Sequence, residues 1–311
     1  MSRYELSGKR VYVAGHGGMV GAALLRRLER EDCEVLTAPR SLDLTDQAAT
    51  RAWFAREKPE TVFLAAAKVG GIAANAAHPV PFLYDNLMIG ANVIEAAARE
   101  GVGKLVNLGS SCVYPRDAVQ PIVEDALLTG PLEPTNRWYA IAKIASIALA
   151  EAHARQDGRD FVSVMPCNLY GPGDNFDLET SHVLPALIRK AHEAKAEGAD
   201  VLEVWGSGKP MREFLHVDDC ADGLVAVSKG VTGPALVNLG SGEDLSIADL
   251  ARTVADVVGF EGRIAFDASR PDGTPRKLMD ASFVQALGWS PSISLRDGIA
   301  DAYRWYLRQP A

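Results

Sequence analysis

Three polar side chains of this 311-residue chain have the types and spacing that proton transfer requires. Tyr139 and Lys143 lie four residues apart in WYAIAKIASIALAEAHARQDG, so a helix would place both on one face. An ammonium group beside a phenol stabilises the phenolate, and we expect it to lower the tyrosine pKa from its ordinary value of about 10. Ser110, in LGSSCVYP, would hold a substrate oxygen while Tyr139 exchanges its proton. The alternative is a structural helix that carries this tyrosine and lysine by chance.

A glycine-rich loop precedes the first amphipathic stretch. AGHGGMVGAALLRRL places Gly15, Gly18 and Gly21 at three-residue spacing. Glycine allows a tight turn and a close approach to a pyrophosphate, and the N-terminus of the following helix supplies unpaired N–H groups and a positive dipole. Because a strand-like run precedes the loop and a helix-like run follows it, the pattern predicts a dinucleotide site.

The residues after the second strand-like run, LTAPRSLDL, indicate which dinucleotide is bound. An NAD site usually carries a carboxylate at this strand end for the ribose 2′-hydroxyl, and here there is none. Arg40 stands just beyond, and a guanidinium suits the 2′-phosphate of NADP. We therefore predict NADP, supplied as NADPH, with a solvated surface arginine as the alternative. Asp43 would lie near the adenine or be an ordinary turn carboxylate.

Strand-like and helix-like segments alternate along much of the chain. The strand-like runs are at 10–15, 34–38, 61–67, 104–110, 161–166 and 235–241. The helix-like segments include 19–31, 86–101 and 138–158. Nearly continuous apolar strands alternating with helices predict an α/β fold with a doubly wound parallel sheet of the Rossmann type. VNLGS occurs at 106–110 and again at 237–241, and we interpret both copies as strands that end at the same sheet edge.

After about residue 170 the regular alternation of strand-like and helix-like segments ends, and loops rich in glycine and proline become frequent. This change indicates a smaller lobe over the carboxyl edge of the sheet. We expect an NADP-binding domain over 1–170, which also receives 213–242, and a substrate-binding lobe built mainly from 171–311.

Composition and charge exclude several classes of protein. The chain is 48% hydrophobic and 23% charged, with a net charge of −8, which argues against nucleic acid or acidic lipid as the main partner. No run approaches the ~20 apolar residues of a membrane span, and the first residues are too polar for a signal peptide. We expect a cytoplasmic protein with no nucleic-acid or membrane partner. The four cysteines are widely spaced, so neither a disulfide framework nor a metal site is predicted.

Longer motifs indicate a family. They are AAAKVGGI, LGSSCVYP, LEPTNRWYAIAKIA, MPCNLYGPGDNF, SHVLPALIRK, WGSGKPMREFLHVDD and DGTPRKLMD. With the glycine loop and the YAIAK helix, they resemble the extended short-chain dehydrogenase/reductase family, which works on nucleotide sugars. More narrowly, they resemble its GDP-4-keto-6-deoxy-mannose 3,5-epimerase/4-reductases. The resemblance extends from about residue 9 to about residue 308.

The resemblance implies catalytic roles that local spacing does not show. Ser110, Tyr139 and Lys143 would serve reduction of the sugar ketone at C4 by NADPH. Cys112 and His182 would serve epimerisation, because the ketone acidifies the hydrogens on C3 and C5, and a thiolate and an imidazole both titrate within reach of neutral pH. The product of the two reactions would be GDP-L-fucose.

The resemblance also implies binding residues. For the cofactor it adds Met19, Val20, Leu44, Ala65, Ala66, Pro166, Asn168 and Leu169, together with Tyr139, Lys143 and His182. For the GDP-sugar it indicates Asn168, Arg212 and Lys277, with Lys190 and Trp205 as further candidates. A homodimer is implied, formed through helices that flank the sheet.

The chain departs from the family pattern at three positions. Gly17 stands where relatives carry an arginine able to face the extra phosphate of NADP, which leaves more of the discrimination to Arg40 and makes use of NADH an open alternative. Lys190 stands in place of an arginine, and Cys167 in place of a threonine.

Two other functions remain open at this stage. One is a nucleotide-sugar 4-epimerase or dehydratase of the same family that retains NAD; dehydratases carry an acid pair where this chain has Ser111 and Cys112. The other is a non-catalytic dinucleotide-sensing protein, a class that commonly loses the tyrosine or lysine retained here. The assignment we prefer is the epimerase/reductase.

Overall fold

A computed structural model describes residues 4–270 and 272–309 of the chain. Its strands are β1 (Arg10–Ala14), β2 (Glu34–Leu36), β3 (Thr61–Leu64), β4 (Lys104–Leu108), β5 (Phe161–Pro166), β6 (Asn168–Tyr170), β7 (Val201–Trp205), β8 (Met211–His216), β9 (Ala235–Leu239), β10 (Asp244–Ser246), β11 (Arg263–Asp267) and β12 (Arg276–Lys277). Its helices are α1 (Met19–Leu28), α2 (Gln47–Glu57), α3 (Ile72–Ala77), α4 (Pro79–Arg99), α5 (Arg137–Asp157), α6 (Val183–Glu197), α7 (Val217–Gly230), α8 (Ile247–Val258), α9 (Ser282–Ala286) and α10 (Leu295–Tyr306). Short 3₁₀ turns cover Ser111–Val113 and Glu124–Ala126.

The six apolar runs recognised in the sequence form one parallel sheet in the order β2-β1-β3-β4-β5-β9. The chain leaves β1 toward β2 on one side and later returns to β3 on the other. In open α/β sheets, ligands bind outside the carboxyl ends of the strands where the winding reverses in this way. The predicted doubly wound α/β fold is confirmed, and its topology places the crevice at the ends of β1 and β3.

Both faces of this sheet are buried, which explains why its strands are apolar throughout. Val11 and Val13 lie in a core that also contains residues of α1 and α7. Tyr12 and Ala14 point to the opposite face, into a core with residues of α2 and α4. Helices therefore cover the sheet on two sides, and only its ends are open to solvent.

A third core lies in the second half of the chain. It joins α6, α8 and α10 around the paired strands β7 and β11 and around β8. β8 pairs with β6, β10 and β12, so the segment that follows β5 leads directly into this smaller sheet. Its last strand, β12, lies 165 residues from the turn that follows β4, yet Lys277 of β12 contacts Cys112 of that turn.

The predicted elements begin within one residue of the observed ones except at α4, although several predicted runs, such as 19–31 and 61–67, extend up to three residues beyond the observed ends. α4 begins at Pro79 rather than at residue 86, because proline is well tolerated in a first helical turn. α5 ends as predicted at Gly158, which adopts the left-handed conformation. Across the described residues, no helix combines the length and apolar character needed to span a bilayer.

Candidate active site

The glycine loop brings β1 and α1 into close contact at the end of the sheet. Gly15 has φ +86°, and a Cβ there would lie 2.7 Å from the Ala66 Cα. A Cβ on Gly21 would lie only 2.0 Å from the Gly15 carbonyl oxygen. The N–H groups of the first turn of α1, at Met19 and Val20, have no partners within the helix and are available to an anion.

A cleft of about 470 Å³ opens at the carboxyl ends of β1 and β3. Its lining includes the predicted cofactor residues Gly15, Gly18, Asp43, Ala65 and Ala66. It also includes Thr45, Ala67, Lys68, Asp85 and Ile89, which sequence reasoning missed. The glycine cradle at the winding reversal fits a dinucleotide, because only a residue without Cβ can occupy Gly15 against Ala66.

The loop that carries Asp43 is fixed by a buried amide. Asn92 of α4 donates hydrogen bonds of 2.9 Å to the carbonyl oxygens of Leu44 and Thr45. Asp43 accepts from the Thr45 hydroxyl and backbone N–H, and these bonds hold the pKa of its carboxyl below the ordinary value. A polar residue in the apolar run NLMIGANVIEAAA was the sequence signal for this support.

Arg40 lies in the exposed turn after β2. Among the ion pairs of residues 4–270 and 272–309, none involves Arg40, so its guanidinium has no carboxylate to displace before it meets an anion. Gly17 is also exposed, and a Cβ there would contact nothing within 4 Å. This part of the loop has room for a longer side chain.

The turn after β4 brings Ser110 and Cys112 to the start of α5. Ser110 caps the turn, and its Oγ accepts the backbone N–H of Cys112 at 3.2 Å. Burial raises the pKa of Tyr139 and the adjacent Cys112 raises it further, while a hydrogen bond from the Ser110 side chain lowers it in part. The three predicted residues therefore meet, with the sulfur and the phenol as neighbours.

The expected effect of Lys143 on Tyr139 is wrong. The Lys143 ammonium is buried and donates a 2.7 Å hydrogen bond to the Leu108 carbonyl oxygen, while lying 5.8 Å from the centre of the Tyr139 ring. Burial lowers the pKa of Lys143 to about 8, and the pKa of Tyr139 is raised rather than lowered. Desolvation of the phenol outweighs the field of an ammonium engaged elsewhere.

His182 is the N-cap residue of α6, and its side chain is exposed at the surface. Partial desolvation by the surrounding protein nevertheless lowers the pKa of its imidazole. The segment before it contacts the loop after β3, where the Gly71 N–H donates to the Thr180 carbonyl oxygen at 2.8 Å. Within the described part of the chain, no hydrogen bond joins His182 to Cys112 or to Tyr139. The predicted acid and base of the epimerisation, His182 and Cys112, are therefore not hydrogen-bonded to each other among the described residues.

Two of the predicted substrate residues are neighbours on adjacent strands. Lys277 of β12 is in register with Arg212 of β8, so both cationic side chains leave the same face. Lys277 Nζ lies 3.9 Å from the Cys112 sulfur. Lys277 is therefore nearer to the predicted catalytic cysteine than a residue that binds only the diphosphate needs to be. Burial lowers the pKa of Arg212, which remains cationic at neutral pH.

Trp205 is not a core residue. Half of it is exposed, and Lys190 and Arg270 lie over its ring at 4.7 and 4.8 Å from the centroid.

Asn168 lies at the start of β6, with Leu169 after it and Pro166 ending β5. Its Nδ2 donates to the Glu213 carbonyl oxygen at 2.7 Å, which leaves the side-chain oxygen and one N–H for a ligand.

A buried carboxylate that sequence reasoning missed holds this region together. The Glu213 side chain accepts the backbone N–H of Gly242 at 2.7 Å and that of Met279 at 3.0 Å. Burial raises the pKa of its carboxyl, and these donors partly offset that effect. Glu213 thereby ties the loop after β9 and the end of β12 to β8.

Comparison with known proteins identifies the family. A model of the NAD dependent epimerase/dehydratase family matches residues 11–240. The GDP-L-fucose synthase of Sinorhizobium fredii is 55% identical over 312 residues, which cover 100% of this chain and 99% of the relative.

Solved structures agree with this match. A GDP-6-OMe-4-keto-L-xylo-heptose reductase from C. jejuni superposes with a TM-score of 0.91 at 36% identity, covering 99% of this chain and 100% of that one. A GDP-L-fucose synthetase from Naegleria fowleri bound to NADP superposes with a TM-score of 0.89 at 29% identity, covering 98% of this chain and 96% of that one. The chain therefore belongs to the NAD dependent epimerase/dehydratase family, in which the GDP-L-fucose synthases are its relatives over the full length.

Proposed function

We propose that this chain converts GDP-4-keto-6-deoxy-D-mannose to GDP-L-fucose by 3,5-epimerisation followed by NADPH-dependent reduction at C4. The observation that carries the proposal is that the Cys112 sulfur, in the turn after β4, accepts a hydrogen bond from Asn136 at the N-terminus of α5, three residues before Tyr139. A reductase needs the phenol but not the thiol, whereas inversion of a carbon next to a ketone needs a base beside the same carbonyl.

Epimerisation begins with removal of a proton from C3 or C5 by the Cys112 thiolate. The C–H bond breaks, an S–H bond forms, and the electron pair moves to the C4 carbonyl oxygen as an enolate. Ser110 and Tyr139 hydrogen-bond this oxygen. His182, as the imidazolium, donates a proton to the carbon from the opposite face, and the electron pair returns from the oxygen to re-form the ketone. Proton exchange with solvent restores the thiolate and the imidazolium, and the other carbon is then inverted in the same way.

Reduction uses the same oxygen contacts. NADPH, when bound, supplies hydride to C4. Tyr139 protonates the resulting alkoxide, and its raised pKa suits this task because the phenol keeps its proton at neutral pH. Lys143, with a pKa of about 8, is mainly cationic at pH 7 and holds positive charge behind the phenol. The glycine loop and the N-terminus of α1 would hold the pyrophosphate of the cofactor, and Arg40 would hold its 2′-phosphate.

The smaller sheet binds the GDP end of the substrate. Arg212 and Lys277 face one side together, which suits a diphosphate. Trp205 offers an exposed aromatic face beside Lys190, and the Asn168 amide oxygen can accept a hydrogen bond from a sugar hydroxyl. We therefore keep an NADP-binding domain over 1–170 with 213–242 and a substrate lobe over most of 171–311, except that β6 and the end of β8 belong to the smaller sheet.

The active molecule in this proposal is a homodimer in the cytoplasm. Val80, Tyr84 and Leu87 form an exposed apolar stripe on α4, and Ile141 is exposed on the adjoining α5. Such a stripe is typical of an interface between two copies of a helix pair. The four cysteines are unpaired, which is typical of a reducing compartment.

The test combines purified protein, NADPH and GDP-4-keto-6-deoxy-mannose. The absorbance of NADPH measures its oxidation, and NMR determines the configuration of the product. GDP-L-fucose as the product supports the proposal. Absence of oxidation would exclude it, and a mannose- or talose-configured product would show a reductase without epimerase activity.

A further inference from the structure

The Cys112 sulfur is contacted by two nitrogen donors that come from different parts of the fold. Asn136, at the N-terminus of α5, points its Nδ2 at the sulfur from 3.2 Å. Lys277, on β12, places its Nζ 3.9 Å away. The sulfur therefore lies between an amide and an ammonium, 24 and 165 residues distant in the chain.

The Asn136 side chain does not have the local role that its position predicts. Asparagine at a helix N-cap usually accepts a backbone N–H of the first turn through its side-chain oxygen. Asn136 makes no such bond, and its buried Oδ1 has no hydrogen-bond partner. The orientation of this amide thus serves the sulfur rather than the helix.

The charges around the sulfur leave Lys277 as its ionic neighbour. Arg116, Arg276 and Glu133 line the same small cleft, and Tyr139 is adjacent from α5. Arg116 Nε lies 3.6 Å from Glu133 Oε2, and the guanidinium of Arg276 is paired with the carboxylate of Asp244. Among the described residues, Lys277 forms no salt bridge with a carboxylate, so its charge is not cancelled beside Cys112.

We infer that Asn136 is a positioning residue that stabilises the thiolate form of Cys112, with the Lys277 ammonium as its counter-ion. A thiolate is a much stronger hydrogen-bond acceptor than a thiol, so an N–H donor and a cation both favour the deprotonated form. The two groups set the fraction of Cys112 that is ready to remove a proton from carbon. The inference rests on the proposed epimerase role of Cys112 but can be measured without substrate.

The test is the pH profile of iodoacetamide alkylation of the full chain in a Cys33→Ser background. Cys33 is the only other cysteine among the described residues that is not buried, so its removal leaves Cys112 as the reporter. We expect Asn136→Ala to slow alkylation at pH 7 by about tenfold, the loss of one hydrogen bond to a charged group, and to move the midpoint of the profile upward. Asn136→Asp, nearly isosteric, should move it further because a carboxylate repels the thiolate.

Controls separate this effect from a structural one. Thr135→Val removes the neighbouring hydroxyl, which bonds Glu133 and not the sulfur, and should leave the midpoint unchanged. Lys277→Met should raise the midpoint, and Lys277→Arg should restore it. Solvent deuterium exchange at C3 and C5 should fall by about tenfold in Asn136→Ala at pH 7 and recover at higher pH, where the thiolate forms without help.

An unchanged midpoint in both Asn136 variants would overturn the inference. If Asn136→Ala loses cooperative melting, the aspartate variant alone decides the question. If the unaltered chain shows the alkylation profile but no exchange of substrate hydrogens, the proposed epimerase function fails while the thiolate assignment stands.

Discussion

Replacing Gly21 by alanine should impair cofactor binding more than any other single methyl group added to the glycine loop. The new Cβ would lie 2.0 Å from the Gly15 carbonyl oxygen, where ordinary contact requires about 3.5 Å. Because the obstruction is backbone on both sides, α1 must move away from β1 by roughly 1.5 Å. This shift separates the N-terminal amides of α1 from the pyrophosphate they bind, a contribution of about 1–2 kcal/mol.

The expected loss of NADPH affinity is about 5–30-fold, since each ~1.4 kcal/mol of binding free energy changes the dissociation constant tenfold. Overpacking should also cost about 1–3 kcal/mol of folding free energy, which lowers Tm by roughly 2–4 °C per kcal/mol. The assay is titration of NADPH fluorescence alongside thermal melting. Gly17→Ala is the matched control, because its Cβ meets nothing within 4 Å and its φ lies outside the left-handed region. Equal NADPH affinity in the two variants would refute the proposed role of this contact.

Three further predictions concern the chemistry of the site. Tyr139→Phe should abolish NADPH oxidation yet retain part of the exchange of the C3 and C5 hydrogens with D₂O, as measured by NMR, because Ser110 still hydrogen-bonds the enolate oxygen; NADPH oxidation at the unaltered rate would show that Tyr139 is not the proton donor. Arg40→Ala should raise KM for NADPH by about 10–100-fold, the value of a charge-assisted bond, and leave KM for NADH unchanged; equal effects on both would show that Arg40 does not contact the 2′-phosphate. Because burial lowers the pKa of Lys143 to about 8, its positive charge is present below that pH and lost as pH rises through it, so kcat/KM for NADPH should fall about tenfold per pH unit above 8. Lys143→Arg should flatten this decline, and a profile that stays level to about pH 9.5 in the unaltered chain would contradict it.

The fold was predictable because its signals are local. Each strand of the large sheet is an apolar run, and the glycine loop lies between a strand and a helix, as the dinucleotide-binding unit requires. The start of α4 was missed because the helix-like segment was predicted to begin only at Asn86, whereas the helix begins at Pro79 and proline fits the first turn of a helix.

The electrostatics of the site were not predictable, because burial is not visible in residue spacing. A four-residue interval places Tyr139 and Lys143 on one face but does not show that the ammonium is held by Leu108 or that the phenol is desolvated. The contact of Lys277 with Cys112 spans 165 positions and has no signal in either segment. Asn92 and Glu213 were missed for the same reason, since their partners are backbone groups of distant loops.

The bonds that Glu213 makes have a consequence for the order in which the protein matures on the ribosome. The first cleft is lined by residues between Gly15 and Ile89, which emerge early, whereas one of the two backbone groups held by Glu213 belongs to Met279. The surface formed by Arg212 and Lys277 therefore cannot be complete until the last part of the chain has been made. A chain interrupted before β12 would lack Lys277 and one backbone partner of Glu213.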